Sequence, residues 1–277
     1  MNRVFTFACA LCVLMLCATT LPAEENEMQD YELIIRTDDI GFSHSVNMAI
    51  EKILEEGKVT AISVLVNGPW LDEGVEILKK HPDVSVGVHL ALNCEWNELR
   101  WGPVAPVSEV PSLVDSSGKF FGTRANLMDH RPKVEEVEKE LRAQIDLAFK
   151  KGLDISYVDY HMGAAMSTAE FQQVVEKLAV EYGIGISRYF EEKDVKSIYS
   201  VPPGQKVEAA IENLMAIEEP GRYVLVIHPG ADIPEMQALT DRNLSGLENM
   251  AAHRAAETDM LCDPKFLETV NSKFKLV

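Results

Sequence analysis

Positive charge is scarce in this 277-residue chain, where 26 Lys and Arg face 44 Asp and Glu for a formal net charge of -18. So acidic a surface argues against nucleic acid and anionic membranes as partners, because both would repel it. Cysteine is scarce as well. Cys9, Cys12 and Cys17 crowd the start, while Cys94 and Cys262 lie far apart, so no disulfide framework organises the fold. Gly183-Ile184-Gly185 lacks the third glycine and the preceding strand of a dinucleotide fingerprint, and no phosphate-binding loop occurs. The uncharged run Val4 to Ala18 is too short for a membrane span. Placed between Met1-Asn2-Arg3 and the small-residue end Leu21-Pro22-Ala23, it reads as an export signal over residues 1–23. Its removal takes one Arg and no acid, moving the charge from -18 to -19. A lipid anchor on Cys17 is the second reading, disfavoured by the bulky Leu16 before it.

What is present is a large hydrophobic share, 47%, enough for the core of one domain over residues 24–277. Strand-like and helix-like stretches alternate. Strands are expected at 32–36, 59–66, 84–90, 155–160, near Ile184 and at 222–228. Helices are expected at 45–56, 71–80, 133–151, 168–182, 205–217, 243–257 and 264–271. Between them, residues 93–130 are rich in Trp, Pro, Gly and Ser with little periodicity, and so long a loop inside a domain is usually functional. Repeated β-α units predict an α/β fold, a distorted (β/α) barrel in a single domain, with a doubly wound parallel sheet as the alternative.

Four apolar runs end in side chains suited to metal binding or proton transfer. Leu33-Ile34-Ile35-Arg36-Thr37 runs into Asp38 and Asp39; the others deliver His89, then Asp159 with His161, then His228 before Pro229-Gly230. Two adjacent carboxylates at a buried strand end need a cation or a shared proton, although a turn with Ser43 capping a helix would use one of them. Strand carboxyl ends are where chemistry gathers in barrels and parallel sheets. His44, His81, His130 and His253 lie in helical or polar contexts and are expected at the surface.

The ordered pieces Arg36-Thr37-Asp38-Asp39-Ile40-Gly41 with Asn47, Gly87-Val88-His89-Leu90, Asp159-Tyr160-His161 and His228-Pro229 resemble the YdjC-like carbohydrate deacetylases. That family includes chitooligosaccharide deacetylases. The resemblance covers nearly the whole mature chain and implies a distorted barrel that removes acetyl groups from N-acetylated sugars with one divalent metal, Zn or Mg. It makes Asp39, His89 and His161 the ligands, Asp38 the base and His228 the acid. Many members carry further histidines after the position of His161, whereas Met162-Gly163-Ala164 follows here, which leaves the identity of the sugar open.

Two imidazoles and a carboxylate leave coordination positions free, as a catalytic metal requires. Asp159 is either a partner holding an imidazole in its tautomer or a turn residue. Arg36, two residues before Asp38, either orients that carboxylate or makes a structural ion pair. Trp96 and Trp101 either stack on a sugar or anchor the long loop. Other readings are an exported O-acetyl esterase and a non-catalytic carbohydrate- or metal-binding protein. Self-association into a homo-oligomer is left open.

Overall fold

The computed structural model describes residues 31–244 and 246–277; the expected export signal lies outside them. Among the described residues, no helix is long and apolar enough to cross a membrane. One parallel sheet organises them. Its strands are β1 (Tyr31–Ile40), β2 (Ala61–Val64), β3 (Ser85–Leu90), β4 (Ile155–Tyr160), β5 (Gly185–Ile186), β6 (Lys193–Asp194), β7 (Gly221–Ile227) and β8 (Lys275–Leu276). The spatial order is β5-β4-β3-β2-β1-β7-β6, with β8 against the start of β1. That is the cyclic order of a barrel with one pairing missing, between β5 and β6. A doubly wound sheet would reverse direction at a switch point, and this one does not. The fold is a single-domain, curled half-barrel.

Helices α1 (His44–Glu56), α2 (Leu71–Lys79), α3 (Arg124–Asp129), α4 (Val134–Lys150), α5 (Ala169–Tyr182), α6 (Lys206–Met215), α7 (Pro234–Gln237), α8 (Met250–Leu261) and α9 (Pro264–Lys273) complete the chain. Strands covered on both faces read as continuous apolar runs, and β1 is the clearest case, buried from Ile35 to Ile40. Ser43 caps α1, its Oγ accepting the Val46 N–H. The expected helix 243–257 starts later, at Met250, after Asn249 in a left-handed conformation (φ 55°). The dipeptide strands β6 and β8 and the single-turn α7 are too short to leave a periodic trace.

Buried carboxylates tie the long segment after β3 to α4. Glu140 accepts the N–H groups of Val104 and Ala105, both at 2.9 Å, and Glu136 accepts the N–H and Oγ–H of Ser112, both at 2.7 Å. Gln144 clamps the main chain of Ala91 from both sides. All three sit on α4. Burying each carboxylate is compensated by two or more donors.

Candidate metal centre at the strand ends

Adjacent residues of a flat strand point to opposite faces, yet Asp38 and Asp39 both line one cavity. The backbone supplies the reason. The pairing of β1 with β2 slips between Thr37 and Ile40, and Asp39 takes a left-handed φ of 78°. A bulge of this kind re-aims side chains at the end of a ladder. The left-handed region is costly for most residues and tolerated by Asp. Gly41 follows at φ 93°; a Cβ there would stand 3.0 Å from the Leu65 carbonyl oxygen, so glycine fits the turn.

Register brings in the other groups. His89 lies directly opposite Asp159 across the β3–β4 ladder, and its Nδ1 is 2.9 Å from the Asp159 carboxylate. His161 is two residues beyond Asp159 and opens a tight turn in which Met162 and Gly163 have positive φ. The result is a convergence of three atoms. His89 Nε2 is 3.5 Å from Asp39 Oδ1, His161 Nδ1 is 3.6 Å from the same oxygen, and the two nitrogens are 3.2 Å apart. Atoms bound tetrahedrally at about 2.0–2.2 Å stand roughly 3.3–3.6 Å apart, so this spacing suits a small divalent ion. Among the described residues Asp39 Oδ1 is buried without a hydrogen-bond partner, so it is open to a partner from outside the chain.

Each group facing the convergence is held from behind. His161 Nε2 is 2.8 Å from Glu95 Oε2, and Asp39 Oδ2 accepts Nη2–H of Arg254 at 2.9 Å. Arg254 lies over the rings of Phe42 and Trp96. Arg36 binds Asp38 in a two-pronged contact, Nε to Oδ1 at 2.7 Å and Nη2 to Oδ2 at 3.0 Å, and reaches Asp159 Oδ2 at 2.9 Å. A second cluster, Asp38, His89 and Asp159, also has metal-like spacing, but Arg36 already supplies its positive charge.

The charge balance is informative. Four buried carboxylates, Asp38, Asp39, Glu95 and Asp159, face two buried guanidiniums, Arg36 and Arg254. Two positive charges are missing, which either two imidazoliums or one divalent cation can supply. The pKa shifts follow. Burial disfavours an imidazolium at His161, but Glu95 and Asp39 outweigh it and lift its pKa to about 10. Burial also opposes the charge of His89, where Asp159 and Asp38 prevail and raise it. At Asp39 burial is overridden by Arg254 and the two imidazoles, which hold the carboxyl well below the usual range. The site draws in positive charge.

His228 follows the end of β7, the strand beside β1, and lines the same cavity, its Nε2 4.0 Å from Asp38 Oδ2. Trp96 and Trp101 are 2% and 3% exposed. The Trp101 indole N–H donates to the Asn93 carbonyl at 3.1 Å, and the ring packs edge-on against Phe42 and His161. A ring so enclosed offers no face to a sugar. That corrects the sugar-stacking expectation for Trp101; Trp96 is stacked on Phe42 but still borders the cavity. Cys94 and Cys262 are free thiols.

Residues 32–272 match the YdjC-like protein family. The chain belongs to the YdjC-like family. A Brevibacillus brevis relative named carbohydrate deacetylase is 36% identical over 156 residues, 56% of this chain and 58% of its own length. An Oceanobacillus iheyensis protein of the same name is 29% identical over 246 residues, 85% of this chain and 98% of that one. The matched stretch thus spans about three-fifths of the first relative and nearly all of the second. The crystal structure of an Enterococcus faecalis V583 protein, provisionally named for cellobiose-phosphate cleavage, superposes with a TM-score of 0.72. It is 22% identical and covers 90% of this chain and 97% of its own, a likeness that speaks to the fold alone.

Within this YdjC-like chain the structure brings together Arg36, Asp38, Asp39, His89, Asp159, His161 and His228. Asp159 pairs with His89, so of the two roles the sequence left open, imidazole partner and turn residue, the structure shows the first contact. Glu95 and Arg254 were missed. The signal available for Glu95 was its place next to Trp96 in a loop expected to be functional; Arg254 carried none, since an Arg on a polar helix reads as solvated.

Proposed function

We propose that this YdjC-like protein is a metal-dependent N-deacetylase acting on an acetylated amino sugar. The carrying observation is the convergence of Asp39 Oδ1, His89 Nε2 and His161 Nδ1 around a buried oxygen with no other partner. The names of its relatives support the same reading. Asp39, His89 and His161 would hold a divalent cation. When bound, such a cation would lower the pKa of an attacking water and polarise the acetyl carbonyl.

The chain's own residues do the rest. Arg36 fixes both oxygens of Asp38, so that carboxylate is aimed before substrate arrives and serves as the base that takes a proton from the attacking water. His228 lines the same cavity beside Asp38 and gives a proton to the departing amine, a poor leaving group without one. Asp159 and Glu95 each occupy the outward nitrogen of an imidazole and so leave the inward one free for the metal.

Metal analysis of the purified protein, paired with acetate release from N-acetylglucosamine oligomers, tests the reading. The expected result is one divalent ion per chain and acetate release that stops on chelation and returns on metal addition. Protein that binds no metal and releases no acetate overturns it.

A further inference from the structure

The buried ion pair of Lys206 and Glu257 lies outside the metal pocket and has no part in the reaction as described. We infer that these two are positioning residues: they pin the main chain of His228 and Tyr199 and so set where the His228 imidazole stands relative to Asp38. The inference rests on the function proposed above.

Lys206 opens α6 and is fully buried. Its ammonium has three donors and three acceptors, the carbonyls of Ile198 at 3.0 Å and Tyr199 at 3.1 Å and Glu257 Oε1 at 2.7 Å. The other oxygen of Glu257, on α8, accepts the His228 N–H at 2.7 Å. One ammonium is therefore linked to two residues of the cavity wall. Their rings meet edge to face, centroids 5.7 Å apart at 74°.

The need for such a device follows from the open seam of the barrel. The short β6 pairs with β7 only through Tyr223 and Val224, so His228, four residues beyond Val224, finds no strand partner there for its N–H. Pro229 follows and has no N–H to offer. Glu257 supplies the acceptor the missing strand would have given. One residue on, Thr258 accepts the Gly230 N–H at 3.1 Å, and Arg254 on the same helix holds Asp39. A single face of α8 therefore anchors the ends of the neighbouring strands β1 and β7. Stability alone is a weak account of the pair, since a buried ion pair is often no better than apolar residues of like volume.

The test uses the full chain and two substrates, an N-acetylated sugar and an activated aryl acetate whose leaving group departs without a proton. In K206M/E257L both charges leave together, so no unpaired charge is buried, and the His228 N–H loses its acceptor. Metal content should be unchanged. On the sugar, kcat should fall by about tenfold or more with KM within about threefold, while aryl acetate turnover stays within about threefold. K206M/E257Q keeps an acceptor for the N–H and should recover most of the loss. Should K206M/E257L fail to fold, Glu257→Asp keeps the charge for Lys206 and shortens the arm, and should show the same selective loss at about fivefold. Equal losses on both substrates, or none on the sugar, overturn the inference. Wild-type protein that releases no acetate overturns the proposed function and this inference with it; a working wild type with unselective variants overturns the inference alone.

Discussion

The half-barrel has a cavity at each end, and the two differ in little but their chemistry. The one at the carboxyl ends of the strands measures about 460 Å³ and the one at the amino ends about 480 Å³. The upper is walled by Asp38, Asp39, His89, Glu95, His161 and Arg254; the lower mixes apolar residues such as Ile34, Ile186 and Val224 with Tyr157, Glu192 and Arg222, and has no histidine. Arg36 lines both and divides them. Volume does not locate the chemistry. Convergent titratable groups with an unmet charge do, because only those have to be balanced by something from outside.

The sharpest way to break this comparison is to remove a ligand from the upper cavity. His89→Ala should reduce bound metal to background and abolish acetate release, with circular dichroism unchanged, since three ligands leave no redundancy. Normal metal content in the folded variant would make His89 a core residue and the two cavities equivalents. Asp38→Asn should act less completely: metal is retained, and turnover falls by about a hundredfold or more. Loss of metal together with turnover would place Asp38 among the ligands.

Trp101→Ala probes the wall between site and core. It should destabilise the fold by about 3–5 kcal/mol in a denaturant titration, the usual cost of emptying a buried Trp site. A variant of native stability with a raised KM would restore the ring to sugar binding. The smallest effect is expected at the lower cavity. Ile34→Phe adds a ring to space outside the Asp and His cluster, and kcat/KM should stay within roughly twofold of wild type. A tenfold loss there would show that the lower cavity takes part.

The proposed ligands were legible because each lies at or near the end of an apolar run, and parallel strands deliver such side chains to one end of the barrel. Asp38 and Asp39 announced themselves through redundancy, although the bulge that aims both into one cavity has no signature in the sequence. The parts that escaped notice act across the fold. Glu95, Arg254, Glu257 and Lys206 come from a loop and two helices, and their meaning lies in partners far along the chain. On α8 the buried Arg254, Glu257 and Thr258 blurred the amphipathic pattern that marks a helix start, so its beginning was misplaced. Trp96 and Trp101 were ambiguous for a different reason: an indole is equally suited to a core and to a sugar, and the distinction lies in what surrounds each ring, which the sequence does not state.

The pairing of β1 with β7 has a consequence for how the chain reaches this state. Glu32 meets Arg222 across 190 residues, and Asp39 meets Arg254 across 215. Contacts so distant form late, since long loops must close before the pairing rewards them, and topologies of this kind fold slowly. Strand β1 is thus among the last to be completed on both sides, and its Asp39 carboxylate waits for Arg254 on α8. Until β7 arrives, β1 presents a bare apolar edge, the state in which a young strand most readily pairs with the wrong neighbour.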